Sequence, residues 1–281
     1  MNNIYIEGIQ GAGKSTLLQA VAELGPQYHL CREGEYSPVE LAWCTYMDKE
    51  HYEGVLERYA TIRNEIIQNT IVEEDHYIVT YTKILTDLPG FHKDLEQFEI
   101  YNGRRTLEEL KEIVLTRYRR FHETGYVFEC AFFQNLVEDL ILFYLASDDE
   151  IMEFYKELWS EIDKKNYKML YLYSNQIADN IRSIRKERSD EQGHEMWYPL
   201  MISYFEDSPY AKQHHCKGLE DLIKHFIHRQ QLELRIIHEV IKDAAILIPS
   251  KEWKKDEQEN WIACKIINSI MKNKKRVGVS R

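Results

Sequence analysis

The 281-residue chain is 44% hydrophobic and 30% charged, with a formal net charge of −11. That composition supplies a core and repels a polyanionic backbone, so a nucleic-acid polymer is not expected as a partner. The five cysteines include no CxxC pair, which argues against a disulfide framework or zinc ribbon and suits reduced thiols.

The longest apolar run, near residues 140–146, is too short to cross a bilayer, and the first strand opens without a leader; a cytoplasmic protein with no membrane partner is expected. Along the chain, short apolar runs alternate with helical periodicity. Strands are expected over 3–7, 28–34, 77–84, 125–129, 168–174 and 244–248, the last stopped by Pro249 and Ser250. Helices are expected over 15–24, 55–72, 106–122, 134–146, 150–165 and 219–243, with a final one over 257–271. Thr106 and Glu109 spell a capping box. The alternation predicts an α/β fold in three layers, a mostly parallel five-stranded sheet with room for one extra strand and helices on both faces. Ligands on such sheets bind at the carboxyl ends of the strands. With no repeat and no linker composition, residues 1–271 read as one domain and 272–281 as a basic tail. The long helices after Gln134 and Leu219 offer a face that a homodimer would bury.

The first strand–helix junction reads Gly8-Ile9-Gln10-Gly11-Ala12-Gly13-Lys14-Ser15, a G-x-x-x-x-G-K-[ST] match without departure, followed by Thr16. Its glycines let the backbone turn tightly so that successive N–H groups point at phosphate oxygens, and the helix N-terminus adds its positive end. Lys14 is placed to reach the β and γ phosphates, and the Ser15 hydroxyl to ligate Mg²⁺. Gly8, Gln10, Gly11, Ala12, Gly13, Lys14, Ser15 and Thr16 are therefore the expected cradle for ATP and Mg²⁺. No Asn-Lys-x-Asp motif is present, which favours ATP over GTP, and the D-x-x-G at 87–90 lacks the flanks of a GTPase switch.

The loop IEGIQGAGKSTL, with three later segments, resembles the family that joins deoxynucleoside kinases and thymidylate kinases; the likeness runs in order through most of the chain. It implies the P-loop NTPase fold and transfer of the γ-phosphate to a small acceptor, a nucleoside or nucleoside monophosphate. In Cys31-Arg32-Glu33-Gly34-Glu35-Tyr36-Ser37-Pro38 it implies a carboxylate that takes the acceptor's proton, Glu33 or else Glu35, although the family's proline is displaced to Pro38. In 125–135 it places Glu129 with Ser15 at the metal, while Cys130 stands where the family has an arginine. A strand ending at Asn175 and a basic helix look like the lid, about 180–195, whose arginines spread the charge of the migrating phosphoryl group; Arg185 and Arg188 are the leading candidates, with Arg182 beside them. Ser250, Lys251 and Trp253 would frame the adenine. Trp43, Tyr46, Tyr81, Phe132 and Phe133 are candidate acceptor walls, and Arg104 and Arg105 candidate contacts for an acceptor phosphate. Residues 73–105 fit the family poorly and read as an insertion or remodelled acceptor region. His214, His215, Cys216, His225 and His228 have irregular spacing and do not spell a zinc site. Two other functions stay open: a kinase of a non-nucleoside hydroxyl compound, favoured by Cys130, and a nucleotide-binding regulatory protein without acceptor turnover.

Overall fold

In a computed structural model the residues described are 1–189, 192 and 194–250; the helix expected over 257–271 and the basic tail lie outside them. The chain divides into two compact units, Met1–Leu30 with the chain from His122 onward, and Cys31–Phe121. The second unit takes in the stretch 73–105.

The first unit opens with β1 (Asn3–Gly8), α1 (Lys14–Leu24) and β2 (His29–Cys31), whose last residue begins the second unit. The second unit holds α2 (Lys49–Arg58), α3 (Arg63–Gln68), β3 (Thr70–Glu73), β4 (His76–Val79), α4 (Phe91–Glu96) and α5 (Leu107–Arg120). The chain then returns through β5 (Tyr126–Glu129), α6 (Gln134–Leu142), α7 (Asp148–Glu161), β6 (Tyr167–Tyr173), α8 (Ile177–Glu187), α9 (Trp197–Asp207), α10 (Pro209–His214), α11 (Gly218–Ile236) and β7 (Ala245–Pro249).

The sheet of the first unit has five strands in the order β2-β5-β1-β6-β7 and is flanked by helices; the pairs β5–β1, β1–β6 and β6–β7 run parallel. β1 is central and buried at every position, so its sequence IYIE shows no polar face. The period of two sorts its side chains into two cores. Ile4 and Ile6 join Val127, Leu170, Leu172 and Ile248 beneath Leu17, Leu18 and Val21 of α1. On the other face Tyr5 stacks on Phe128 at 4.8 Å and on Tyr167 at 4.4 Å, and Phe132, Phe133 and Tyr155 complete an aromatic layer. Burying this aliphatic and aromatic surface on both sides fixes the strand ends from which the site is built.

The expected extra strand does not join the parallel sheet: His76–Val79 pairs antiparallel with Thr70–Glu73 as a separate two-stranded sheet. The helix expected over 55–72 is also divided. α2 starts earlier, at Lys49, because the Asp48 side chain accepts from His51 N as an N-cap. A 3₁₀ turn at Ala60–Ile62 follows, and the β-branched run Thr70-Ile71-Val72 enters the hairpin. The core of this unit gathers Tyr52, Val55 and Leu56 of α2, Ile66 of α3, Val79, Tyr81, Phe91 and Leu95. The Thr106–Glu109 capping box is formed. α9 and α10 occupy a stretch where no element is expected from the sequence, and Pro249 is the last residue of β7 on the sheet edge, where its missing N–H is tolerated. No helix among the described residues is long and apolar enough to cross a membrane.

Candidate functional site

The loop between β1 and α1 owes its shape to glycines in backbone conformations that side chains rarely adopt. Gly8 has φ +140° and a Cβ there would stand 2.5 Å from the backbone oxygen of Leu172 in β6. Gly11 has φ +75° and its Cβ would stand 1.9 Å from Ile184 Cδ1 of α8. α1 begins directly after the loop with no acidic residue of its own in the first turn and no side-chain cap, so its first N–H groups have no partner within the helix. Lys14 is buried, and its Nζ donates to the loop carbonyls of Gly8 (2.8 Å) and Ile9 (2.9 Å). The Gln10 side-chain oxygen is buried in the loop without a hydrogen-bond partner.

Ser15 Oγ donates to Glu129 Oε1 at 2.5 Å. Glu129 closes β5, in register with Ile6 of β1, and its side chain is buried. A hydroxyl and a carboxylate in contact are hard oxygen donors, the kind Mg²⁺ takes from protein when it fills its other positions with phosphate oxygens and water. Among the described residues no group of three or more His, Cys, Asp or Glu converges, so a full protein cage for a metal is not formed. The Ser15–Glu129 pair fits Mg²⁺ on that basis.

Behind the loop lies a layer of buried charge that the sequence reading did not single out. Glu7, fully buried, accepts from Phe132 N (2.7 Å) and Phe133 N (3.1 Å). Burial pushes its carboxyl up to about 8, against the pull of those two N–H groups. Arg229 of α11 pairs with Glu138 of α6 and, at 3.0 Å, with Glu233; Tyr171 of β6 donates to Glu233 at 2.6 Å. Burial would raise Glu138, but the charge of Arg229 and then His225 outweighs it and holds the carboxyl down to about 2. Glu233 is raised by burial, with Arg229 opposing. The only sequence signal for Glu7 was an acid closing an apolar run; Glu138, Arg229 and Glu233 sat in helical stretches where charge is ordinary.

α8 presents two faces. Ile177, Asn180, Ile181 and Ile184 are buried, with Ile184 on Gly11. Arg182 and Arg185 lie off that face, and Arg188 closes the helix as its C-cap. Arg185 forks onto Glu195 through two hydrogen bonds of 2.9 Å and stands 3.9 Å over the Tyr198 ring; Arg188 lies 5.8 Å from the Trp197 ring and Arg182 pairs with Asp179 at 2.7 Å. The segment after β7 is tied to the loop, Ser250 Oγ donating to Ala12 O at 2.9 Å. Lys251 and Trp253 lie outside the described residues.

Within the second unit, Glu33 accepts from the indole N–H of Trp43 at 3.4 Å, and Trp43 is 45% exposed with φ +62°. Glu35 pairs with Lys83 at 2.9 Å. Arg104 pairs with Glu96, and Arg105 donates to the carbonyl of Tyr46 at 2.6 Å. Of the candidate walls here, Tyr81 is buried and donates to Glu99, and Tyr46 stacks on His76 at 4.0 Å. Phe132 and Phe133 belong to the aromatic core of the first unit. Glu40, buried, accepts from Leu41 N and Ala42 N at 2.7 Å and from Tyr101 at 3.2 Å; burial raises it and Glu99 to about 7 each. Cys31, Cys44, Cys130 and Cys216 are free thiols. His225 lies against Glu138 and His228 against Asp148. No protein-family model matches the chain, and no curated protein matches it.

Proposed function

We propose that this chain is a P-loop phosphotransferase, binding ATP with Mg²⁺ and moving the γ-phosphate to a small acceptor, a nucleoside or nucleoside monophosphate. The observation that carries this reading is the uninterrupted Gly8–Ser15 loop on a strand–loop–helix, with Ser15 Oγ on the Glu129 carboxylate at 2.5 Å.

The loop N–H groups and the start of α1 bind phosphate oxygens. Lys14 leaves two carbonyls for a phosphate, a stronger partner for an ammonium. Ser15 and Glu129 would hold Mg²⁺, which when bound offsets phosphate charge. Glu33 or Glu35 takes the proton of an acceptor hydroxyl; Arg185 and Arg188 supply positive charge from α8 and its end. Cys130, in place of the arginine expected from the resemblance, favours a second reading in which the acceptor hydroxyl belongs to a non-nucleoside compound.

ATP consumption with Mg²⁺, run over nucleosides, nucleoside monophosphates and other small hydroxyl compounds beside Lys14→Ala, tests the reading. Turnover with one acceptor class, lost in Lys14→Ala, is the expected result and names the acceptor. ATP binding without acceptor-dependent turnover would sink it in favour of a regulatory nucleotide-binding protein.

A further inference from the structure

Glu7 is fully buried, and a carboxyl group taken from water needs hydrogen-bond partners. Its partners are two backbone N–H groups, of Phe132 and Phe133, immediately before α6. α6 has no side-chain cap of its own from Phe133, so the central strand supplies a carboxyl group at its start. Between that group and β5 stands a turn with little freedom. Cys130 N donates to Ile6 O at 3.2 Å, and Cys130 then adopts φ +61°, a left-handed conformation unusual for a residue with a Cβ. The residue just before this turn is Glu129, whose carboxylate meets Ser15. β1 thus grips both ends of the turn, Ile6 at its start and Glu7 at its close.

We infer that Glu7 is a positioning residue: its carboxyl group clamps the turn after β5 and so keeps Glu129 on Ser15. The inference rests on the phosphate-site reading above and adds a residue to it. A carboxyl group has an acceptor lone pair on each oxygen, protonated or not, whereas a glutamine has one acceptor oxygen and its NH₂ group would face the second N–H as donor against donor. An aspartate keeps the carboxyl group but is one methylene short of spanning both N–H groups.

The test is the Mg²⁺ concentration at half-saturation for binding of a fluorescent ATP analogue. It is measured on the full chain in wild type, Glu7→Gln, Glu7→Asp, Glu129→Gln and the Glu7→Gln/Glu129→Gln pair. Glu7→Gln is expected to raise it about tenfold, the scale of lost outer-shell support for a metal ligand, with Mg²⁺-free nucleotide affinity unchanged and Glu7→Asp in between. Added to Glu129→Gln, the same change is expected to do nothing further, because the residue it positions is already lost. An unchanged half-saturation in Glu7→Gln overturns the inference, as does an effect that multiplies with that of Glu129→Gln. A wild type with no Mg²⁺-dependent nucleotide binding is a different failure, of the phosphate site itself, and takes the inference with it. Should Glu7→Gln not fold, amide exchange in the wild type decides: protected Phe132 and Phe133 amides are expected, and rapid exchange at both overturns the clamp.

Discussion

Arg229 has no exposed surface, and its charge is shared between Glu138 and Glu233. Such an arrangement is held by mutual attraction against a large desolvation cost, so losing one partner is far worse than losing both. Glu138→Ala leaves Arg229 with a single carboxylate and is expected to destabilise the protein by about 3–5 kcal/mol in a urea melt. A cost below about 1 kcal/mol would mean that water reaches the guanidinium once Glu138 is gone. None of these residues was legible beforehand. A glutamate or arginine in a helical stretch has the same spelling whether it faces solvent or a core, and only the packing of α6 against α11 decides which. The loop residues were legible for the opposite reason. Their function lies in backbone conformation, and glycine spacing writes backbone conformation directly into the sequence. Glu7 falls between the two cases: the acid is visible in IYIE, but its two N–H partners lie more than a hundred positions away.

At the scale of elements, the strands of the parallel sheet were legible because each is a short apolar run. The central strand is buried on both faces, so only apolar residues and well-partnered exceptions fit. The hairpin and the split of α2 from α3 were not, since Glu74-Asp75 turns the chain without the glycine that marks most tight hairpins, Glu74 taking φ +52° itself. Packing between elements also separates two glycines that look equivalent in the motif. At Gly8 an added Cβ meets the backbone oxygen of β6, which is fixed by its own ladder; at Gly11 it meets the tip of Ile184, which can move. Gly8→Ala is therefore expected to cost about 3 kcal/mol or more, combining strain with a contact that cannot relax. Gly11→Ala should cost about 1–2 kcal/mol, mainly the left-handed backbone penalty. Urea melts of the two variants check the order, and a reversed order would mean that Ile184 is held on the loop too firmly to give way.

Across the whole molecule, buried carboxylates with raised affinity for protons occur in both units: Glu7 in one, Glu40 and Glu99 in the other. Burial is the main cause for each, so the folded protein binds a proton that the unfolded chain, near its ordinary value of 4.5, has already released. The stability these groups contribute is full below about pH 4.5 and is lost as pH climbs through about 7 for Glu40 and Glu99 and about 8 for Glu7. Glu138 has the opposite sign: its contribution is present above about 4.5 and lost as pH falls toward 2. Between about pH 5 and pH 8 these raised groups lose their contribution, which lowers the unfolding free energy through that window. Growing net negative charge pushes the same way, since the chain already carries −11 at pH 7. The two contributions separate in a Glu40→Gln/Glu99→Gln variant, which keeps both sites neutral at every pH while leaving neighbouring surface charge untouched. Its unfolding free energy, measured by urea titration at several pH values, should decline less steeply than that of wild type. An equal slope would assign the decline to Glu7 and surface repulsion rather than to Glu40 and Glu99, and a rise with pH in wild type would show that these carboxylates are ionised in the fold and held by partners rather than by burial.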